Sequence, residues 1–152
     1  MSVIDLKNLY ETDDYLWLES TIELLKNKQF KALDLENLIE ELEDLGSEKK
    51  HAVVSFLNQL LRHLLLLQYW TSEFDNNTVH WQEEIYNFRS ELNERLTTTL
   101  RNYLEKELER IYQKALKAVK IKTQNSVEFP PECPYTLDEL LDENWLPRKE
   151  MK

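Results

Sequence analysis

The scarcity of chain-breaking residues is the feature that most restricts the fold of this chain. Its 152 residues include one glycine, Gly46, and four prolines, which all lie near the C-terminus at positions 130, 131, 134 and 147. Tight β-hairpin turns depend on glycine and related turn residues, so an all-β fold is nearly excluded. We therefore predict long helices that are joined by short polar segments.

Hydrophobic periodicity predicts an all-α, single-domain helical bundle of about five main helices over residues 1–152. Residues 13–70 hold the first three helices, of which the first two form an N-terminal helical hairpin. The apolar faces of these two helices are Tyr15, Leu18, Ile22 and Leu25, and Leu35, Leu38, Ile39, Leu42 and Leu45. Asp34 is expected to cap the second helix and Gly46 to end it. The third, from Ser47 to about Trp70, is apolar most of the way round and should be enclosed.

The second half of the chain is predicted to hold two more helices and a tail. Residues 72–78 read as a loop, and residues 78–122 as helices 4 and 5 with a break at the β-branched residues 97–99. Residues 123–152 form a proline-containing tail that ends in a short helix near 137–143, begun by a capping box of Thr136 and Glu139. The tail should be pinned to the bundle by its large apolar side chains, Phe129, Tyr135, Trp145 and Leu146.

The net charge of −10 is concentrated at one end of the chain. Residues 1–48 hold 13 acids and 4 bases, a net of −9, whereas residues 89–122 hold 9 bases and 5 acids, a net of +4. We expect these two segments to pack together. Nucleic-acid phosphates need an uncompensated basic surface, so no nucleic-acid partner is predicted.

The sequence also favours a cytoplasmic protein without a membrane span. The longest aliphatic run, residues 64–67, is far shorter than a bilayer crossing, and the N-terminus lacks the pattern of a signal peptide. Cys133 is the single cysteine and cannot form an internal disulfide, which fits a reducing compartment.

Four polar residues are candidates for a buried network between helices. His63 lies within an apolar stripe of the third helix, and Arg89 lies at the inner edge of the stripe of the fourth. A buried guanidinium should pair with a carboxylate, for which Glu41 or Glu43 would suit. His63 is then either a hydrogen-bonded core histidine or a ligand or catalytic base.

Metal and cofactor signals are weak. Glu48 and His51 have the i, i+3 spacing of carboxylate-bridged di-iron bundles, but such sites need a second motif that the chain lacks. Carboxylates at 40, 41, 43 and 44 point to different sides of one helix and suggest a solvated face. We predict no metal and no cofactor, and the residues assign no catalytic group.

Several segments together resemble a known bacterial family. They are YETDDYLW (10–17), FKALDLENLIEELEDLG (30–46), HLLLLQYW (63–70), Trp81, Ile85 and Arg89, and FPPECPYTLDELLDENWLP (129–147). The chain resembles the family catalogued as domain of unknown function 29, which is common in cyanobacteria. Leu66 departs from the family pattern, in which many members have a basic residue. The resemblance implies an α-helical fold and no assigned activity.

The function that these observations favour is a protein-interaction or binding module without catalysis. Its partner would be another protein or a second copy of the chain, with Leu65 and Leu66 as candidate surface residues. The alternative is a metal-dependent or acid–base enzyme that uses His63 with glutamates of the second helix. An exposed apolar surface would favour the module, and a solvent-connected pocket with His63 and an acid would favour the enzyme.

Overall fold

The computed structural model describes residues 5–148. Over this range it contains six α-helices and no β-strand. The helices are α1 (Leu6–Thr12), α2 (Asp14–Lys26), α3 (Leu35–Tyr69), α4 (Phe74–Arg95), α5 (Thr98–Lys122) and α6 (Leu137–Leu141), with short 3-10 turns at Phe30–Ala32 and Thr71–Glu73. The predicted all-α fold with five main helices and a short terminal one is confirmed.

The first helix, α1, is absent from the sequence-based prediction. The Asp5 side chain accepts a hydrogen bond from the backbone N–H of Asn8, and the Asp13 side chain does the same for Leu16 at the start of α2. Asp13 therefore lies at the end of α1 and caps the start of α2. A helix as short as α1 shows too little periodicity to be found from sequence.

The predicted second and third helices form one helix, so the predicted helix end at Gly46 is wrong. A glycine ends a helix by adopting a left-handed backbone conformation, and Gly46 does not have a positive φ. Glycine inside a helix costs about 1 kcal/mol relative to alanine. This cost does not interrupt a helix that is formed on both sides of it, because each added helical residue gains a backbone hydrogen bond. The predicted cap at Asp34 is confirmed, since its Oδ1 accepts from the Asn37 N–H at 3.4 Å.

The predicted loop at residues 72–78 is also wrong in most of its length, because α4 already begins at Phe74. Asn77 Nδ2 donates to the Glu73 carbonyl at 3.0 Å, and the Thr78 hydroxyl donates to the carbonyl of Phe74. These polar side chains support the first turn of the helix.

The predicted break is confirmed: Thr97 lies outside both helices and its hydroxyl caps α5 by accepting from Leu100 N–H. The capping box of α6 is confirmed as well.

The described chain divides into two compact units, with the boundary between Glu48 and Lys49 inside α3. The first unit contains α1, α2 and residues 35–48, and the second contains residues 49–69, α4, α5, the tail and α6. The single-domain organisation stays a prediction.

The second unit has a large hydrophobic core. Its centre is the later part of α3, where Leu57, Leu60, Leu61, Leu64 and Leu65 have no exposed surface. The tail closes the core with Phe129, Tyr135, Leu137 and Leu140, and Trp145 packs edge-on against Tyr135. The expected pinning by Phe129 and Tyr135 is confirmed. Leu146 is 43% exposed, so its predicted role as an anchor is wrong.

The first unit buries far fewer side chains, namely Leu6, Trp17, Thr21 and Asp34. The indole Nε1 of Trp17 donates to Asp34 Oδ2 at 3.3 Å, and Tyr10 packs edge-on against the same indole at 4.9 Å. Asp34 therefore caps α3 and also receives the polar atom of the unit's largest buried side chain.

Candidate functional site

Two rows of apolar side chains in the first unit lie exposed to solvent. On α2, the row that we call the α2 stripe consists of Tyr15, Leu18, Ile22 and Leu25, which are 68%, 44%, 41% and 41% exposed. On α3, the α3 stripe consists of Leu35, Ile39, Leu42 and Leu45, which are 56%, 53%, 59% and 49% exposed. Single exposed apolar residues are normal on a protein surface, but two helical rows of them are not.

Sequence periodicity predicted that each row forms one apolar face of its helix, and the structure shows that both rows are exposed. In α2 the buried residues, Trp17 and Thr21, lie on the adjoining face of the helix. The spacing of the stripe residues shows which side chains share a face. The spacing does not show which face of the helix packs against the rest of the unit. Here the interior of the unit is filled by Trp17 and its hydrogen-bond partner Asp34.

A shallow cavity of about 150 Å³ opens beside the α2 stripe. It is lined by Asp14, Tyr15, Trp17, Leu18 and Glu41. Glu41 Oε1 accepts from the Tyr10 hydroxyl at 2.6 Å, and this hydrogen bond is the main cause that raises the pKa of Tyr10 to about 12. The cavity therefore combines an apolar wall with two carboxylates.

The later part of α3 offers no comparable surface. Leu65 and Leu66, which the sequence proposed for an interface, are 0% and 3% exposed. That assignment is wrong, because α4, α5 and the tail supply enough apolar surface to enclose this part of α3.

His63 is half-buried on α3 among aromatic rings. Its Nδ1 lies 2.7 Å from the carbonyl oxygen of Gln59, and its ring centroid lies 5.4 Å from that of Phe88 and 6.5 Å from that of His80. A carbonyl can only accept, so Nδ1 carries the proton. Burial lowers the pKa of His63, which favours the neutral ring.

Next to His63 lies a cavity of about 730 Å³ between α3, α4 and α5, which we call the His63 cavity. It opens to solvent and is lined by Gln59, Arg62, His63, Leu66, Trp70, Glu73, Asn77, His80, Trp81, Ala118, Val119, Ile121 and Lys122. Its size falls within the range of small-molecule sites, about 300–1,000 Å³.

Arg89 is 2% exposed and bonds to the tail. Its Nε donates to the carbonyl of Leu140 in α6 at 2.7 Å. Burial lowers the pKa of Arg89, while the nearby charges of Asp142 and Glu143 act in the opposite direction. The sequence indicated a buried arginine but not its partner, because a main-chain acceptor leaves no signature in residue types.

The four residues of the predicted polar network have the following surroundings. Glu41 is bonded to Tyr10, and Glu43 is exposed on α3. His63 faces Gln59 and Phe88, and Arg89 bonds to the Leu140 carbonyl. The network itself stays a prediction.

The other sequence candidates have little support from their positions. Glu48 and His51 are both exposed on α3. Within residues 5–148, no group of three or more histidine, cysteine, aspartate or glutamate side chains is arranged to hold a metal ion.

Burial raises the pKa of the Cys133 thiol to about 11, so it stays protonated at neutral pH. None of the helices in residues 5–148 has the length and apolarity of a membrane span.

Comparison with known proteins gives one family. The family model described as domain of unknown function DUF29 matches residues 9–146. No curated protein and no solved structure matches the chain significantly.

Proposed function

The chain belongs to the family of domain of unknown function DUF29, and from this premise we propose that it is a protein-interaction module without catalysis. Its binding surface is the first unit, and its occupant is an amphipathic helix of another protein with basic residues beside its apolar face. The observation that carries the proposal is the exposure of the α2 and α3 stripes.

The spacing of the stripe residues supports a helical occupant. Leu35, Ile39, Leu42 and Leu45 repeat every three or four residues, which is the spacing at which helices contact each other. An amphipathic helix places its own anchors at the same intervals when it lies in an apolar groove. The 150 Å³ cavity beside Leu18 would receive one such anchor side chain.

The charge of the first unit supports a basic occupant. Residues 1–48 carry 13 acids against 4 bases, and Glu19, Glu23, Glu36 and Glu43 flank the stripes on their helices. Lysine or arginine beside the apolar face of the partner would meet these carboxylates. A second copy would bring the same net charge of −9 to the interface, and this repulsion disfavours the homo-oligomer.

The enzyme hypothesis has less support. It combines His63 with the glutamates of residues 35–48, but Glu41 is held by the hydroxyl of Tyr10. The acid that lines the His63 cavity is Glu73, which does not belong to that helical segment.

We place the interaction in the cytoplasm of a cyanobacterium, in keeping with the resemblance and with the single cysteine.

The proposal is tested with synthetic helical peptides and the intact chain. A peptide of about three helical turns carries leucines at i, i+3, i+4 and i+7 with lysines beside them, and a matched peptide carries glutamates instead of the lysines. We expect the lysine peptide to bind, as measured by calorimetry. Ile22→Glu or Leu42→Glu should weaken its binding about tenfold or more, because each places a charge in the apolar contact.

The matched control is Val79→Glu, a substitution of an α4 residue that is 77% exposed outside the first unit. It should leave the peptide affinity unchanged. Equal binding of the two peptides, or equal affinity of Ile22→Glu and the wild type, contradicts the proposal. Sedimentation that shows a dimer of the wild type and a monomer of Ile22→Glu would assign the stripes to a second copy instead.

A further inference from the structure

The His63 cavity has two cationic side chains that the chain itself does not neutralise. Arg62 reaches it from α3 and Lys122 from the last turn of α5. Neither forms an ion pair with a carboxylate anywhere in residues 5–148, although the sequence holds 29 acids against 19 lysines and arginines.

Arg62 is the stronger of the two observations. Its Nε is fully buried and has no acceptor among the described protein atoms. A buried N–H without an acceptor is unfavourable. The two terminal amino groups of a guanidinium can hold an oxyanion that enters from the cavity through two parallel hydrogen bonds. Arginine is suited to carboxylates and phosphates for this geometric reason.

Two of the remaining polar residues of the cavity lining have hydrogen-bond partners within the chain. Glu73 is the carboxylate among the lining residues, and its Oε2 accepts from Asn77 Nδ2 at 3.4 Å. His63 is engaged through Nδ1 with the Gln59 carbonyl. The charged lining residues are therefore Arg62, Lys122 and Glu73, and the charge of Glu84 also acts at His63.

The opposite part of the lining is apolar and aromatic. Leu66, Trp81 and Val119 are at most 4% exposed. Trp70 stacks on Trp81 with the ring centroids 6.0 Å apart and an angle of 23° between the planes. Stacked indoles offer a flat, rigid wall to a ring-containing ligand.

From this combination we propose that the His63 cavity binds a small organic acid, with its carboxylate on Arg62 and Lys122 and its ring-containing body against Trp70 and Trp81. The volume of about 730 Å³ accommodates a ligand of this class. The site is independent of the α2 and α3 stripes, so the proposed function and this inference stand or fall separately.

The experiment follows the indole N–H signals of the intact protein by NMR during titration with 3-phenylpropionate. Trp70 and Trp81 line the cavity, whereas Trp17 belongs to the first unit and Trp145 packs on Tyr135. We expect the first two signals to shift with saturation in the micromolar to millimolar range and the other two to stay in place. The uncharged 3-phenylpropionamide should bind more weakly than 3-phenylpropionate by a factor of about ten or more.

Two variants examine the charged groups separately. Arg62→Gln and Lys122→Gln should each weaken 3-phenylpropionate binding, by about tenfold for the arginine, which loses a bidentate partner. Lys120→Gln, also exposed at the end of α5 and outside the cavity lining, is the matched control and should bind like the wild type. Lys122 is exposed, so its variant remains informative if Arg62→Gln fails to fold. Unmoved Trp70 and Trp81 signals, equal affinity for the amide, or wild-type affinity in both variants would overturn the inference.

Discussion

Arg89 and His63 each use a main-chain carbonyl as their nearest partner. Arg89 Nε donates to Leu140 and His63 Nδ1 to Gln59, both at 2.7 Å. For His63 this bond is compatible with the neutral ring, and burial is the largest cause that lowers its pKa. The hydrogen bond to the Gln59 carbonyl and the charge of Glu84 oppose this shift, whereas the charges of His80 and Lys122 add to it.

The lowered pKa of His63 predicts a pH-dependent contribution to stability. A histidine whose pKa is lower in the folded state binds fewer protons there than in the unfolded state. Its contribution is present above the unfolded pKa of about 6.5 and is lost as the pH falls from there towards the folded pKa. We therefore expect wild type to lose more unfolding free energy than His63→Gln on acidification over this interval, as measured by urea denaturation.

The matched control for the loss of a histidine from α3 is His51→Gln, at an exposed position. Comparing the variants removes the background from the many carboxylates, which titrate in all three proteins. Parallel pH profiles for wild type and His63→Gln would show that the imidazole is equally easy to protonate in the folded and unfolded chain.

The sequence could predict that His63 and Arg89 lie among apolar residues, because helical spacing alone places them there. It could not predict their partners. The Leu140 carbonyl reaches Arg89 only because the tail folds back over α4, and contacts between distant parts of the chain leave no local pattern. The same limit applies to the His63 cavity, whose lining comes from three helices.

At the scale of the helix, α3 is continuous from Leu35 to Tyr69 and passes through the unit boundary. Its residues 35–48 carry the exposed α3 stripe and its later residues carry the core of the second unit. Gly46 lies just before the boundary, in a helical conformation, and a Cβ added to it would meet nothing within 4 Å.

Gly46→Ala is therefore expected to stabilise the protein by about 0.5–1 kcal/mol, since alanine has a lower entropy cost in a helix and no steric conflict here. The measurement is the unfolding free energy from chemical denaturation, with Ser47→Ala as the neighbouring control. A glycine that ended the helix in a left-handed conformation would give the opposite sign, so destabilisation by Gly46→Ala contradicts a continuous α3.

Local rules were sufficient where one side chain decides the structure. The caps at Asp34 and Thr136 were predicted because a hydroxyl or carboxylate satisfies a free N–H of the first helical turn. The continuation of α3 through Gly46 was not, because the preference of one glycine for a helix end is weak and helix propagation from both sides outweighs it. The side of α2 that becomes buried was not predictable for a similar reason, as it depends on Trp17 finding Asp34.

At the scale of the whole molecule, the two units differ in how much they bury. The first unit encloses Trp17 and a few neighbours, whereas the second encloses the leucines of α3 together with α4, α5 and the tail. The expected packing of the acidic residues 1–48 on the basic segment 89–122 stays a prediction.

This difference predicts uneven hydrogen exchange in the intact chain. Local opening is least costly where little apolar surface is buried, so amides of α1 and α2 should exchange faster than those of residues 53–67. Mass spectrometry of peptic fragments after deuterium labelling measures this directly. Equal protection of α2 and residues 53–67 would contradict the prediction and show that the first unit opens only when the whole molecule unfolds.

The attachment of the tail has a consequence for which substitutions the protein tolerates. Side chains of α4 and α5 hold the tail by its main chain: the carbonyls of Leu140, Leu141, Pro130 and Pro131 and the N–H of Cys133. A peptide group is the same whatever side chain follows it. Residue identity is therefore restricted at the helix positions that bind the tail and at the tail positions that fill the core, while the exposed tail positions are free to vary as long as the path of the chain is kept.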